Sequence, residues 1–331
     1  MPKITFSRGR KTGAKAPPPR YRWVEGGPRK VAAAGGPGGG SGTKAGEGAE
    51  GPQDPLLDLD NLTGLEKVKE IIKEITAYAK MQKIRQAHNL KSAPLVLHMV
   101  FKGNPGTGKT TVARILGRLF QDIGILPKGH LVEIERADLV GEYIGHTAQK
   151  TRVQINKALG GILFIDEAYS LARGGDKDFG KEAIDTLVKA AEDHKDQLIV
   201  ILAGYKKEME LFMLSNPGLK SRFPIQITFP DYRREELMEI AGKMAREREY
   251  IMSKAARNYL YNFLEDVNAK TLNFSNARLV RNLIEKAIRK QAARLVHSHN
   301  PSREQLVSLE EVDFAVDEGE APEDRFYYLQ Y

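Results

Sequence analysis

The sequence predicts an α/β protein: a parallel five-stranded sheet covered by helices on both faces, followed by a small all-helical domain. Three observations predict it. Short apolar runs alternate with helical patterns from residue 95 to residue 229. The runs are apolar throughout rather than at every second residue, as in strands buried on both faces. After Pro230 the strand pattern stops and helical spacing takes over.

Residues 1–53 precede this pattern and are rich in Gly, Pro, Ala and Lys/Arg, with GGPGGGSG at 35–42 reading as a flexible linker. Too few apolar side chains are present to offset the entropy of ordering, so the segment is expected to be disordered. Residues 1–52 hold ten Lys or Arg against three acidic residues, so seven of the chain's eight net positive charges sit there. The tail reads either as a solubilising extension or as a weak attachment to nucleic acid or an anionic surface. The rest of the chain is close to neutral, which weighs against a DNA-binding body. The chain has no cysteine, which excludes disulfides and thiolate chemistry. No apolar run suits a signal peptide or a membrane span, so a cytoplasmic protein is expected.

Residues 62–90 place Leu65, Val68, Ile71, Ile72, Ile75 and Tyr78 at helical spacing, predicting one or two amphipathic helices. Strands are expected at 95–101, 131–135, 162–166, 198–204 and 225–229, with helices at 108–121, 147–159, 180–193 and 207–214 between them. Helices are then expected at 233–248, 253–267, 275–298 and 308–317. The closing stretch EDRFYYLQY (323–331) is aromatic for a terminus and is expected to pack on the body. These readings divide the chain into a tail (1–53), an α/β domain (54–231), a helical domain (232–318) and a C-terminal tail (319–331).

Between the first strand and its helix stands Gly103-Asn104-Pro105-Gly106-Thr107-Gly108-Lys109-Thr110, followed by Thr111. It fits G-x-x-x-x-G-K-[ST] in the strand-to-helix context that the motif requires. The glycines let backbone N–H groups converge on phosphate oxygens, and the helix N-terminus adds its dipole. Lys109 is expected to reach the β- and γ-phosphates and Thr110 to hold Mg²⁺. The strand at 162–165 leads into Asp166-Glu167. Parallel sheets bind ligands beyond the carboxyl ends of their strands, so Asp166 is expected beside the loop, positioning hydrated Mg²⁺. A second carboxylate at Glu167 can polarise an attacking water, which favours nucleotide hydrolysis over phosphoryl transfer to an acceptor. The alternative is an acidic helix cap.

Three groups outside the loop are further candidates. Arg222, just before the last strand, is expected at the domain edge, serving a neighbouring subunit's nucleotide or forming a surface salt bridge. Arg278 falls in the first turn of a helix that Ser275 would cap. A cation there opposes the helix dipole, so a phosphate partner is expected; Arg281, one turn on, is an alternative. Tyr205 ends the fourth strand, where it either contacts the attacking water or the γ-phosphate or serves packing. Finally, GEYIG (141–145) sets Tyr143 and Ile144 between glycines in a loop, an unusual place for large apolar groups.

Together these motifs resemble the AAA+ ATPases over residues 57 to 317. The resemblance rests on Walker A (103–110), Walker B (162–167), the box-seven Arg222 and the sensor-two Asn276-Ala277-Arg278. The stretches HLVEIERADLVGEYIGHTAQKTR, GGILFIDEAYSLARGG, FGKEAIDTLVKAAED and NPGLKSRFPI resemble the branch holding stage V sporulation protein K and the red-type rubisco activases, and are most like the sporulation protein. The resemblance implies ATP as substrate, a hexamer with nucleotide between subunits, and remodelling of a client protein. It places GEYIG in the ring's central pore, with Tyr143 and Ile144 gripping an extended chain. One departure is Tyr205, where many members carry Asn or Thr. A nucleic-acid motor and a non-catalytic nucleotide switch are competing readings, the first favoured by the tail and the second disfavoured by Glu167.

Overall fold

The computed structural model describes residues 54–315 except 93–94, 144, 174–178, 271–274 and 299, and except the side chains of 267–270. The expected disordered tail (1–53), the aromatic C-terminal stretch and Ile144 lie outside the described residues. The described residues belong to one compact unit.

The chain opens with helix α1 (Pro55–Asp60), capped by the Asp54 side chain on Leu56 N at 2.9 Å, and α2 (Glu66–Ala87). Five strands follow: β1 (Met99–Lys102), β2 (Leu131–Ile134), β3 (Ile162–Ile165), β4 (Ile199–Gly204) and β5 (Ile225–Thr228). Helix α3 (Lys109–Asp122) leaves β1. A short α4 (Arg136–Leu139) and α5 (His146–Ala158) lie between β2 and β3, and α6 (Gly180–Asp193) precedes β4. Helices α7 (Lys206–Ser215) and α8 (Pro217–Arg222) lead to β5.

All five strands are parallel, in the order β2-β3-β4-β1-β5. Alternate residues feed two cores. Met99, Phe101, Ile162, Phe164, Ile199 and Ile201 pack on the face shared with α2, α3 and the later helices. Val100, Leu163, Ile165, Val200 and Leu202 pack on the opposite face against α5 to α8. Phe101 and Phe164 are fully buried, and burial of such a side chain contributes about 1.5–3 kcal/mol each. This two-sided burial explains why the strands read as continuous apolar runs.

The first strand is shorter than the apolar run 95–101. It begins at Met99, because His98 Nδ1 accepts the Val200 N–H at 3.0 Å and so occupies a backbone donor that further pairing would need. The other His98 nitrogen lies 2.7 Å from Ala191 O, and burial lowers the ring's pKa.

Beyond β5 come α9 (Arg234–Arg246), β6 (Ile251–Met252), α10 (Lys254–Lys270), α11 (Asn276–Leu295), α12 (Arg303–Val307), β7 (Ser308–Leu309) and α13 (Glu311–Phe314). The helical domain thus carries a two-residue parallel pairing, Ile251 with Ser308 and Met252 with Leu309, where the strand pattern was expected to have stopped. The helix expected at 308–317 begins only at Glu311, because Ser308 and Leu309 join β6. Strands this short leave no periodic signal in the sequence. Gln291 Nε2 ties this turn to α11 by donating to the carbonyls of Gln305, Leu306 and Ser308 at 2.9–3.0 Å. Among the described residues no helix is long and apolar enough to cross a membrane.

Candidate nucleotide site

The sheet order places the chemistry. β4 lies between β3 and β1, so their carboxyl ends set Asp166-Glu167, Tyr205 and the loop 103–108 side by side. Gly103 N donates to Gly204 O at 3.0 Å, fastening the loop's start to the end of β4. The resulting cleft, about 550 Å³, is lined by loop residues together with Lys109, Thr110, Thr111, Asp166, Glu167, Tyr205, Arg278 and Arg281. Asn104 and Thr107 complete the loop: Thr107 is fully buried and its hydroxyl donates to Asn104 O at 2.8 Å.

The loop curls because Gly106 and Gly108 adopt φ of +69° and +92°. A Cβ on Gly106 would overlap Ser275 O and lie 2.7 Å from Arg278 N. Gly106→Ala is therefore expected to cost more than ~1 kcal/mol of stability and to weaken ADP binding. Thermal melting and titration calorimetry check both.

The Lys109 ammonium donates to the carbonyls of Gly103 and Asn104 at 2.9 and 2.8 Å, which centres it over the loop. Burial lowers its pKa, Asp166 opposes that shift, and Arg278 adds to the lowering. The Thr110 hydroxyl lies 3.4 Å from Glu133 Oε1 on β2. Asp166 Oδ1 accepts the Glu167 N–H at 2.9 Å. Glu167 itself has φ +46° and ψ 42°, a left-handed backbone that costs a non-glycine residue of order 1–3 kcal/mol and clusters at functional sites. Its side chain is exposed and makes no cap hydrogen bond, so the helix-cap alternative finds no support.

Around Glu167 stands an aromatic pair that the sequence reading half missed. Tyr169 packs on Gly204, where a Cβ would lie 2.6 Å from its ring, and its centroid is 6.0 Å from that of Tyr205. The Arg173 guanidinium lies 4.5 Å over the Tyr169 ring. Burial raises the Tyr169 pKa, with the Glu167 charge and hydrogen bond adding to it. Tyr205 is raised in the same order, by burial and then by Glu167. Both phenols remain protonated donors beside the carboxylate at neutral pH.

The cleft's other end was not foreseen. Leu62, Leu65, Tyr232, Ile240 and Met244 form an apolar strip there, edged by Asn61, Thr63, Lys243 and Glu247. Gly64 and Leu65 both have φ +61°, turning the chain along the strip. The Tyr232 hydroxyl donates to Thr107 O at 3.3 Å, and burial pushes its pKa up to about 12. The only sequence hint was a glycine before α2, with no motif spacing.

At α11, Ser275 does not cap through its side chain. Its carbonyl accepts the Arg278 N–H at 3.0 Å instead, and Arg278 is exposed toward the cleft.

Arg222 and Tyr143 do not line this cleft. Arg222 Nη1 donates to Ser221 Oγ at 2.7 Å. Its Nε lies 3.4 Å from Glu192 Oε2, yet that atom is buried without a hydrogen bond, so the contact is charge proximity alone. Tyr143 is 66% exposed and meets His146 edge to face at 5.5 Å. It does not fold back on the core. The loop is anchored at its base, where Thr147 Oγ1 accepts Gly141 N–H at 3.0 Å and Gly145 starts α5 at φ +83°.

The residues fit a magnesium nucleotide. The glycine curl is a cradle that a side chain would fill, and Thr110 and Asp166 are the hard oxygen donors that Mg²⁺ takes alongside phosphates. Among the described residues no cluster of three or more His, Cys, Asp or Glu forms a separate metal cage.

Comparison with known proteins agrees with this geometry. Residues 99–231 match the ATPase family associated with various cellular activities (AAA), and residues 233–324 match the AAA lid domain. The chain is 56% identical over 263 residues to stage V sporulation protein K of Bacillus subtilis, covering 79% of this chain and 82% of that protein. It is 46% identical over 247 residues to protein CbbX of Cereibacter sphaeroides, covering 74% and 80%. The chloroplastic ribulose bisphosphate carboxylase/oxygenase activase of Cyanidioschyzon merolae is 45% identical over 245 residues, covering 73% and 83%. Among solved structures, the ADP complex of the FIGL-1 AAA domain shares the fold at TM-score 0.54 and 16% identity, covering 81% and 88%. The RuvB branch migration motor of Thermotoga maritima does so at 0.52 and 21%, covering 77% and 69%.

Proposed function

The chain belongs to the AAA family of ATPases and is an ATP hydrolase with a helical lid; on that footing, we propose that it remodels a client protein by drawing it through the pore of a homohexamer. Glu167 takes a proton from the attacking water. Tyr169 and Tyr205 hold that carboxylate and its surroundings. Lys109 and the loop N–H groups bind the phosphates, and the apolar wall of Leu62, Leu65, Ile240 and Met244 takes the flat base. Thr110 and Asp166 would hold Mg²⁺, which when bound neutralises phosphate charge. Arg278 reaches the terminal phosphate from the lid, and Arg222 reaches the nucleotide of the adjacent subunit. Residues 54–231 act as the motor domain and 232–318 as the lid, in the cytoplasm.

The observation that carries this reading is the split between cleft and surface. The cleft gathers the loop with Lys109, Thr110, Asp166, Glu167, Tyr205 and Arg278, while Arg222 and the two-thirds-exposed Tyr143 lie outside it. A monomer has no evident use for that arrangement, and a ring uses both. Tyr143, with Ile144, grips a chain by contact area rather than by hydrogen-bond pattern.

Identity to the sporulation protein exceeds that to the rubisco activases, which supports a client in sporulation over a rubisco-type client. The near-neutral body disfavours a nucleic-acid motor, with tail 1–52 as the remaining basic segment for nucleic acid or an anionic surface.

The test is a trap. Glu167→Gln protein with ATP is expected to retain a client from sporulating cells, and Tyr143→Ala in the same background is expected to lose it. Tyr143→Ala alone is expected to change ATPase less than about twofold and to leave Tm within a degree or two, because an exposed side chain contributes little to stability. Retention by both proteins, or unfolding of Tyr143→Ala, contradicts the grip.

A further inference from the structure

The phosphate loop and the lid are joined by a polar brace whose centre, Asp231, no motif marks. Asp231 lies in the hinge between β5 and α9. Its two carboxylate oxygens accept from Asn104 Nδ2 at 3.0 Å each. Oδ1 also accepts from Asn276 Nδ2 at 2.7 Å. The same Asn276 nitrogen donates to Pro105 O at 3.3 Å, and Asn276 Oδ1 accepts the Tyr232 N–H at 2.9 Å. One carboxamide therefore bonds the loop, the hinge carboxylate and the hinge backbone.

Asn276 is fully buried and sits at φ +49°, a conformation that few residues other than Gly, Asn and Asp adopt readily. The backbone adds a further tie, Ala277 N–H to Gly106 O at 3.2 Å. This satisfies one of the donors that a helix start leaves unpaired. The Gly106 curl abuts Ser275 and Arg278 so closely that it has no room for a methyl group. The loop and the first turn of α11 are thus held together by side chain, backbone and steric contact. Arg278 stands two residues beyond Asn276.

We propose that Asp231, with Asn276 as its partner, is a positioning residue that ties the reach of the Arg278 guanidinium to the conformation of the phosphate loop. The proposal rests on the reading of Arg278 as a contact of the terminal phosphate. A carboxylate suits the hinge because only acceptors match the N–H groups arriving from Asn104 and Asn276. A change of loop geometry between ATP and ADP then moves Arg278 and the lid start as one piece.

A double-mutant cycle tests it, with kcat and KM for ATP and Kd for ADP measured on the full chain. Asp231→Asn is expected to lower kcat roughly tenfold while ADP affinity changes less than about threefold, since Lys109 and the loop N–H groups remain. In an Arg278→Ala background the same change is expected to lower kcat less than about twofold further, because residues acting as one unit are not additive. Effects that multiply, or an unchanged kcat for Asp231→Asn, overturn the proposal. An Arg278→Ala protein with unchanged kcat overturns the reading of Arg278 and the proposal with it, a pattern distinct from multiplication. If Asp231→Asn folds poorly, Asn276→Gly serves instead. It accepts the left-handed backbone, removes the carboxamide and is held to the same outcomes.

Discussion

Glu167→Gln is expected to bind ATP as the unaltered chain does and to hydrolyse it roughly 10²–10⁴-fold more slowly, the range for loss of a general base. The substitution keeps size and an acceptor for Tyr169 but removes the capacity to take a proton. The fold is expected to tolerate loss of that charge, because the Glu167 side chain is exposed, makes no cap bond and keeps its acceptor for Tyr169. The left-handed backbone is already accommodated at this position. Phosphate release against time, with ATP affinity from calorimetry, checks both halves. Unchanged turnover removes Glu167 as the base, and lost affinity shows that it supports binding instead.

The second large effect belongs to Arg222. Arg222→Ala is expected to lower kcat by about 10³-fold or more, the usual contribution of an arginine supplied to a phosphoryl-transfer site. ADP affinity is expected to hold, because Arg222 does not line its own subunit's cleft. Its contact with Glu192 involves groups 36% and 52% exposed, and such a surface pair contributes about 0–1 kcal/mol. A Tm close to that of the unaltered chain is therefore expected alongside the loss of turnover. A lowered Tm with normal turnover would make Arg222 a surface salt bridge and nothing more.

The parts of this protein that were legible in its sequence are those where one physical requirement acts over neighbouring residues. The five strands were visible because burial on both faces demands uninterrupted apolar residues. The phosphate loop was visible because backbone N–H groups converge only where glycines permit it, and Asp166-Glu167 because it ends a buried strand. What escaped depends on distant segments meeting. Leu62 and Met244 form one wall only where the turn before α2 meets α9, with Lys243 Nζ donating to Asn61 O and Thr63 Oγ1. Tyr169 reaches Glu167 only because Gly204, on another strand, leaves room for its ring. Asp231 looks like an ordinary turn acid until Asn104 and Asn276, distant in sequence, both donate to it. The strand expected from Leu95 failed for a similar reason, since the His98 ring borrows a donor from β4. The pairing of β6 with β7 spans two residues per strand, too few for any period to show.

Mixing inactive subunits asks whether the site is completed between copies of the chain. Lys109→Ala subunits lack phosphate binding but carry Arg222, and Arg222→Ala subunits carry an intact cleft. In an equal random mixture about a quarter of head-to-tail interfaces pair an intact cleft with an intact arginine. The expected result is ATPase that neither protein shows alone, rising with the mixing ratio to a maximum near equal amounts. A mixture as inactive as its components, in rings shown to exchange subunits, would contradict action of Arg222 in trans and the ring motor built on it.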